Sequence, residues 1–417
     1  MKTITVPADK SISHRGVLFG ALARGVTRVT NFLQAGDTLH TLQAMQALGV
    51  RIERDGGTLT VHGTGVVGLR APAGELYLGN SGTSTRLLLG VLAGRPFPVT
   101  LTGDPSLSRR PMRRVVEPLT AMGARFAGND NGNKLPLTVT GGALHGIRYD
   151  LPTASAQVKS ALLLAGLQAE GTTSLREPAL SRDHTERMLR GFGVPVQERD
   201  GRLEITRSEL TATEVAVPGD ISSAAFFLVG AAIGGPATRL TGVGLNPTRT
   251  GVIDALRRMG ADLTIEHQRT VAGEEVGDIV IRPSRLRGTT IGGGEIPRLI
   301  DELPVLALAA ACAEGETRVT GAHELRVKES DRIAVVAREF ARRGVLVEEL
   351  PDGFIIRGPQ RFRGGAGECD YDHRIAMTML MANVVSDGEI TMPGSGEHIQ
   401  TSFPGFTGLF RDWLAAT

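Results

Sequence analysis

Apolar residues recur at helical spacing in paired runs along this chain, and strand-like alternation follows each pair. Six runs open with polar or charged residues and lead to a glycine. The openings are Lys10-Ser11-Ile12-Ser13-His14-Arg15, Asn80-Ser81-Gly82-Thr83-Ser84-Thr85-Arg86, Ser155-Ala156-Gln157-Val158-Lys159, Asp220-Ile221-Ser222-Ser223, Asp301-Glu302-Leu303-Pro304 and Asp372-His373-Arg374. Their glycines are Gly25, Gly94, Gly171, Gly235, Gly315 and Gly388. A second helical run follows in five units and stops at Gly49, Gly123, Gly193, Gly260 and Gly344, which are separated by 74, 70, 67 and 84 residues. A terminal glycine suits a left-handed helix C-cap. Strand–turn–strand patterns come next, as in Val50–Val61.

Strands precede the first helices: Thr3–Val6, Glu75–Leu78 and Thr213–Val217 are examples. The predicted unit is therefore strand, helix, strand, helix, hairpin, repeated six times. Three units per domain place a boundary near Pro218-Gly219, giving one domain over 9–218 and a second over 1–8 plus 219–417. The sixth unit stops at about Thr407–Trp413, before supplying a strand for a following unit, and the amino-terminal strand is expected to fill that vacancy. Two chain crossings, near Pro7-Ala8 and Pro218-Gly219, make a hinge.

Composition narrows the function. The 417 residues suit about two domains, with 41% hydrophobic and 22% charged residues. A formal charge of +2 argues against nucleic acid as a partner and leaves local cation clusters for small anions. The two cysteines form no disulfide framework. Cys312 reads as a buried small hydrophobe, and nothing marks Cys369 as a nucleophile. With no signal-like apolar opening in Met1–Pro7 and no run near ~20 apolar residues, a reducing cytoplasm is expected and a membrane is not. No HExxH or CxxC occurs, so no metal is expected.

The helix openings carry the candidate chemistry, because a helix start offers free N–H groups and partial positive charge to anions. Ser11 and Arg15 are four apart with Lys10 at the mouth; a serine N-cap with solvated charges is the plainer alternative. Asn80, Ser81, Thr83 and Arg86 repeat the theme, and Gly82 admits a ligand close to the backbone. Pro111 reads as a first helical residue with Arg110 just ahead, at the wrong end of the dipole for stability. Lys328 and Arg332 are four apart in Arg326–Arg332, with Glu329 beside them, at the repeat position of Arg110 and Arg182. Asp301 precedes an apolar helix and reads either as its cap or as a proton acceptor among cations.

Together, Asp9–Arg15, Leu78–Thr83, Leu101–Asp104 with Arg109-Arg110-Pro111, Val327–Arg332 and Asp372-His373-Arg374 resemble the enolpyruvylshikimate phosphate synthase family over nearly the whole chain. The resemblance implies an α/β (α+β) fold of two similar domains, each with three βαβαββ units in an inside-out barrel, closing over substrates at the hinge. It also implies transfer of the enolpyruvyl group of phosphoenolpyruvate to the 5-hydroxyl of shikimate 3-phosphate, with no cofactor, in a cytoplasmic monomer. By position, Lys10, Ser11, Arg15, Ser155, Gln157, Ser181, Asp301 and Lys328 would hold shikimate 3-phosphate. Lys10, Gly82, Arg110, Gln157, Arg332 and Arg374 would hold phosphoenolpyruvate. Asp301 resembles the family's base and Glu329 an acid/base at the methylene carbon, with Lys10 sharing in proton transfer.

Several positions depart from the common pattern. Thr401-Ser402-Phe403-Pro404 lacks a preceding Lys, and Ala156, Glu324 and Leu87 replace the usual Ser, Asn and Pro. The sister enzyme acting on UDP-N-acetylglucosamine carries a loop Cys before its Arg-Pro; Pro105–Pro111 has none. A non-enzymatic polyanion binder of the same fold would need the cations but not Asp301 with Glu329.

Overall fold

A computed structural model describes residues 1–415. The chain divides into two compact units, one formed by Ala8–Val217 and the other by Met1–Pro7 with the chain from Pro218 onward.

The second repeat shows the plan most plainly. Its sheet runs Leu76–Tyr77, Pro98–Thr102, Lys134–Thr140, Arg125–Gly128; the first pair is parallel and the others antiparallel. The Gly82–Leu92 helix makes the parallel crossover, and the Arg113–Ala121 helix leads into the hairpin. The third repeat is built alike on Arg148–Asp150, Thr172–Arg176, Arg202–Thr206 and Gln197–Arg199. The fifth uses Thr290–Ile291, Gly315–Val319, Gly353–Gly358 and Val347–Leu350. The sixth keeps only the parallel pair Phe362–Ala366 with Ser386–Thr391, and short helices Gly396–Gln400 and Phe406–Leu414 follow it.

The first and fourth repeats correct the simple grouping of each strand with the helix after it. Glu214–Ala216, which precedes the fourth repeat's helix, lies parallel to Ala23–Thr30 in the first repeat's sheet. Lys2–Ile4, which precedes the first repeat's helix, lies parallel to Thr238–Gly244 in the fourth repeat's sheet. A short β segment carries no record of which sheet edge it will complete; its partner is set by where the chain runs.

The glycines after the first helices also differ from expectation. The helices end at Leu22, Leu92, Gly166, Ala232, Cys312 and Met381, short of those glycines. Gly25, Gly315 and Gly388 instead lie within the strands that follow. The second-helix glycines do take left-handed backbone, from φ +80° at Gly344 to +116° at Gly123, the conformation a C-cap asks for.

The first helices are apolar all round and therefore interior. Every residue of Ile221–Ala232 is buried, as is Leu303–Ala311, while Cys312 is half-buried. The second helices are two-faced: in Arg332–Arg342, Ile333, Val336 and Phe340 are buried and Arg338 and Arg342 are not. One hydrophobic core results in each unit, from Ala8 to Val217 in one and from Ile4 and Val6 through Trp413 in the other. Because the core claims the bodies of the first helices, their polar openings are left at the helix ends, where the candidate chemistry lies.

Candidate active site

In the Ala8–Val217 unit, Asp9 caps the Lys10–Leu22 helix by accepting the Ile12 N–H at 2.8 Å. Ser11 is therefore not the cap; its carbonyl accepts from Arg15 Nη1 at 2.9 Å. Arg15 is 3% exposed, and it also donates to Thr185 Oγ1 at 2.7 Å and Ser160 Oγ at 2.9 Å. Lys10 Nζ lies 3.0 Å from Asp37 Oδ2. Ser155 caps the Ala156–Gly166 helix, accepting from Val158 N–H at 3.4 Å. Ser181 donates its hydroxyl to Glu177. Behind it, the fully buried Lys159 pairs with Glu177 at 2.6 Å and Glu186 at 2.7 Å. Burial opposes the Lys159 charge, but the two carboxylates prevail and raise its pKa.

A second cluster forms around Gly82. Arg86 Nη1 donates to Gln157 Oε1 at 2.6 Å, and Gln157 Nε2 donates to Thr83 Oγ1 at 2.9 Å. Arg110 Nη2 donates to Asn80 Oδ1 at 2.6 Å, and Asn80 is held by Asp104 Oδ2 at 2.9 Å. A Cβ on Gly82 would stand 2.9 Å from Arg86 Nη1 and 3.1 Å from Arg110 Nη1. Glycine thus lets two guanidinium tips converge over a helix start capped by Ser81, an arrangement suited to a small anion.

Arg110 reaches this place by a different route from the one expected. Asp104 caps a short helix, Pro105–Arg109, by accepting the Leu107 N–H at 2.7 Å, with Pro105 as its first residue. Arg110 follows that helix's carboxy-terminal end, and the next helix begins only at Arg113. Pro111 opens no helix, so the expected clash with a dipole disappears.

The other unit gathers its residues around Arg332, which is 1% exposed. Its Nε donates to Asp372 Oδ2 at 2.8 Å, Nη1 to Asp301 Oδ1 at 3.0 Å, and Nη2 to Glu329 Oε2 at 2.7 Å. Burial opposes its charge, but Asp372, Glu329 and Asp301 outweigh that and raise its pKa. Lys328 Nζ also reaches Asp301 Oδ1, at 3.4 Å. Lys328 has extended backbone ahead of the Arg332–Arg342 helix, so it and Arg332 meet through Asp301 rather than along a helical face. Asp301 sits in a 3-10 turn, Ile300–Glu302, and the Leu303–Cys312 helix that follows has Glu302 as its N-cap residue, without a side-chain cap bond. The capping alternative for Asp301 is overturned: its carboxylate faces cations. Arg374 donates from Nη1 to the Asp301 carbonyl at 3.2 Å, and Asp372 caps the Arg374 helix.

Chemically, this unit presents two carboxylates, Asp301 and Glu329, on one buried guanidinium. Cations flank them, so the pair is suited to moving protons beside an anionic reactant. Among the described residues no cluster of three or more His, Cys, Asp or Glu could hold a metal ion. Burial pushes the Cys312 thiol up to about 12 and, as the largest cause, also raises Cys369, so neither is an activated thiolate.

Sequence reasoning missed Asp37, Ser160, Glu177, Thr185, Glu186 and Glu302 as participants. The one available signal was Lys159, a cation inside the apolar run Val158–Gly166, since a charge buried there demands carboxylate partners.

This arrangement has relatives. Residues 1–409 match the family model described as EPSP synthase (3-phosphoshikimate 1-carboxyvinyltransferase). A 3-phosphoshikimate 1-carboxyvinyltransferase of Alkalilimnicola ehrlichii is 55% identical over 413 residues, covering 98% of this chain and 92% of the relative. Another, of Geobacter sp. (strain M21), is 52% identical over 408 residues, covering 97% and 95%. The solved EPSP synthase of Acinetobacter baumannii superposes with a TM-score of 0.86 at 51% identity, over 99% of this chain and 95% of that one. The enolpyruvyl transferase NikO from Streptomyces tendae, at 19% identity and a TM-score of 0.78, covering 99% of this chain and 94% of its own, shares the fold. With the helix-start cations, the Asp301–Arg332–Glu329 cluster and a match across nearly its whole length, the chain belongs to the EPSP synthase family.

Proposed function

We propose that this chain is a transferase moving the 1-carboxyvinyl group of phosphoenolpyruvate onto the 5-hydroxyl of shikimate 3-phosphate, a step toward chorismate and the aromatic amino acids. The hydroxyl oxygen adds to C2 of phosphoenolpyruvate while C3 gains a proton. The intermediate then loses a proton from C3, and the C2–O bond to phosphate breaks. The observation that carries this proposal is Asp301 and Glu329 sharing the Arg332 guanidinium, at 3.0 and 2.7 Å.

Asp301 accepts the hydroxyl proton, Glu329 exchanges the proton at C3, and Lys10 supports the transfers. Lys10, Ser11, Arg15, Ser155, Gln157, Ser181, Asp301 and Lys328 hold shikimate 3-phosphate. Lys10, Gly82, Arg110, Gln157, Arg332 and Arg374 hold phosphoenolpyruvate. The convergence of Arg86 and Arg110 over Gly82 supports adding Arg86 to the second set. Two phosphates and two carboxylates need fixed cations, and preorganised cations cost no reorganisation as the reaction proceeds. The protein works as a monomer in a reducing cytoplasm, in keeping with its two free cysteines. No helix among the described residues is long and apolar enough to cross a membrane.

Phosphate release tests the proposal. Phosphoenolpyruvate with shikimate 3-phosphate should release phosphate, and phosphoenolpyruvate with UDP-N-acetylglucosamine should not. Release with the sugar nucleotide alone would overturn the choice of acceptor, and release with neither would overturn the activity.

A further inference from the structure

Glu302 is the least expected charge in the molecule. Its side chain is fully buried, and the helix it precedes takes no side-chain cap bond from it. One carboxylate oxygen, Oε1, accepts the Ser222 hydroxyl and lies 3.8 Å from Arg374 Nη1. The other, Oε2, is buried with no hydrogen-bond partner. Burying a carboxylate is costly even after relaxation, and an unsatisfied oxygen adds to that cost. Stability alone therefore does not account for a glutamate here.

The carboxylate is held from behind. Ser222 accepts from Arg249 Nη2 at 2.7 Å, and the same nitrogen donates to Asp220 Oδ1 at 3.1 Å. Asp220 in turn caps the Ile221–Ala232 helix through the Ser222 N–H at 2.9 Å. The chain Asp220–Arg249–Ser222–Glu302 thus ties the openings of the fourth and fifth repeats together and ends at Arg374 in the sixth. On Arg374, Nη1 is engaged by the Asp301 carbonyl and faces Glu302. Its Nε and Nη2 have no hydrogen-bond partner among the described residues, and its side chain is 10% exposed. One edge of the guanidinium is gripped and the other is left to meet an anion.

We propose that Glu302 is a positioning residue for Arg374, fixing that guanidinium in the orientation in which it meets phosphoenolpyruvate. The proposal rests on the assignment of Arg374 to phosphoenolpyruvate made above. Glu302 need not touch either substrate. Its charge and its Ser222 anchor set the Arg374 rotamer before the ligand arrives, so less ordering is left for binding to supply.

The test compares Glu302→Gln, Ser222→Ala and Arg374→Lys by steady-state kinetics, varying each substrate with the other saturating, alongside thermal melting. Glu302→Gln keeps the shape and removes the charge. It should raise KM for phosphoenolpyruvate roughly 5–10-fold and leave KM for shikimate 3-phosphate within about twofold. Ser222→Ala should move the same parameter by less. In the Arg374→Lys background, Glu302→Gln should add almost nothing, because the two changes act on one interaction. If Arg374→Lys raises KM for phosphoenolpyruvate and Glu302→Gln does not, Glu302 does not position it. Equal changes for both substrates with a lowered melting temperature would make Glu302 merely structural and also overturn the proposal. If Arg374→Lys itself leaves phosphoenolpyruvate unaffected, the assignment of Arg374 fails instead.

Discussion

In the Ala8–Val217 unit Arg15, Arg86 and Arg110 donate to hydroxyl, amide and carbonyl oxygens, whereas Arg332 in the other unit is surrounded by carboxylates. Arg15 donates to Thr185, Ser160 and the Ser11 carbonyl; Arg86 donates to Gln157 and the Pro111 carbonyl; Arg110 donates to Asn80. Neutral acceptors orient a guanidinium without cancelling its charge. Arg332 instead meets Asp301, Glu329 and Asp372 at 2.7–3.0 Å. There the cation serves the carboxylates, holding Asp301 and Glu329 in a fixed pair. On the assignment proposed above, the same kind of repeat serves anion binding in one unit and proton transfer in the other. Carboxylate-paired cations occur in the Ala8–Val217 unit as well, Lys10 with Asp37 and Lys159 with Glu177 and Glu186 among them.

The sharpest way to break this contrast is Asp301→Asn. If Asp301 is the base, the variant keeps the side-chain shape and loses basicity, and turnover should fall by roughly 10²-fold or more. Affinity for shikimate 3-phosphate and thermal stability should change far less. Single-turnover phosphate release reads this directly; a rate near wild type would reduce Asp301 to a charge partner of Arg332.

A smaller effect belongs to the binding side. Arg110→Ala removes one of the two guanidinium tips over Gly82 and should weaken phosphoenolpyruvate on the order of 10-fold, the scale of one charge-assisted hydrogen bond. Shikimate 3-phosphate should bind almost unchanged. Titrations showing equal losses for both ligands would mean that Arg110 is not part of a dedicated phosphoenolpyruvate site.

The smallest effect concerns His14, fully buried between Lys10 and Arg15. Its Nδ1 shares a hydrogen with Thr41 Oγ1 at 2.7 Å, and its Nε2 has no partner. Burial first, then Lys10 and Arg15, push its pKa well below 6.5. As pH falls below about 6.5 the unfolded chain gains a proton that the folded chain refuses, so stability drops, by up to about 1.4 kcal/mol per pH unit, until the folded pKa is reached. His14→Asn should flatten that part of the acid loss. Urea midpoints measured from pH 7 to 5 would show it as a shallower slope; parallel slopes would clear His14 of the effect.

Much of the architecture was legible because it is written locally. Apolar spacing marked the helices, and Gly49, Gly123, Gly193, Gly260 and Gly344 marked the ends of the second helix in five repeats. Residue type at the openings marked Lys10, Arg15, Asp301 and Arg332 as candidates. What failed was local reasoning about choices made elsewhere. Pro111 looked like a helix start because the stronger pair, Asp104 as cap and Pro105 as first residue, lies six residues upstream. Asp301 looked like a cap, but the following helix begins after Glu302 and leaves its side chain facing Lys328 and Arg332.

The sequence by itself determined the repeat, the polarity of each helix opening and the family, since periodicity, capping residues and short motifs act over a few residues along the chain. Only the tertiary structure decided that Glu214–Ala216 completes the first repeat's sheet and Lys2–Ile4 the fourth's. It alone decided which cations meet neutral oxygens and which meet carboxylates, and that Glu302 lies beside Arg374. Sheet edges and ion pairs are chosen by distance in space, and residues as far apart along the chain as Glu302 and Arg374 carry no local sign of one another.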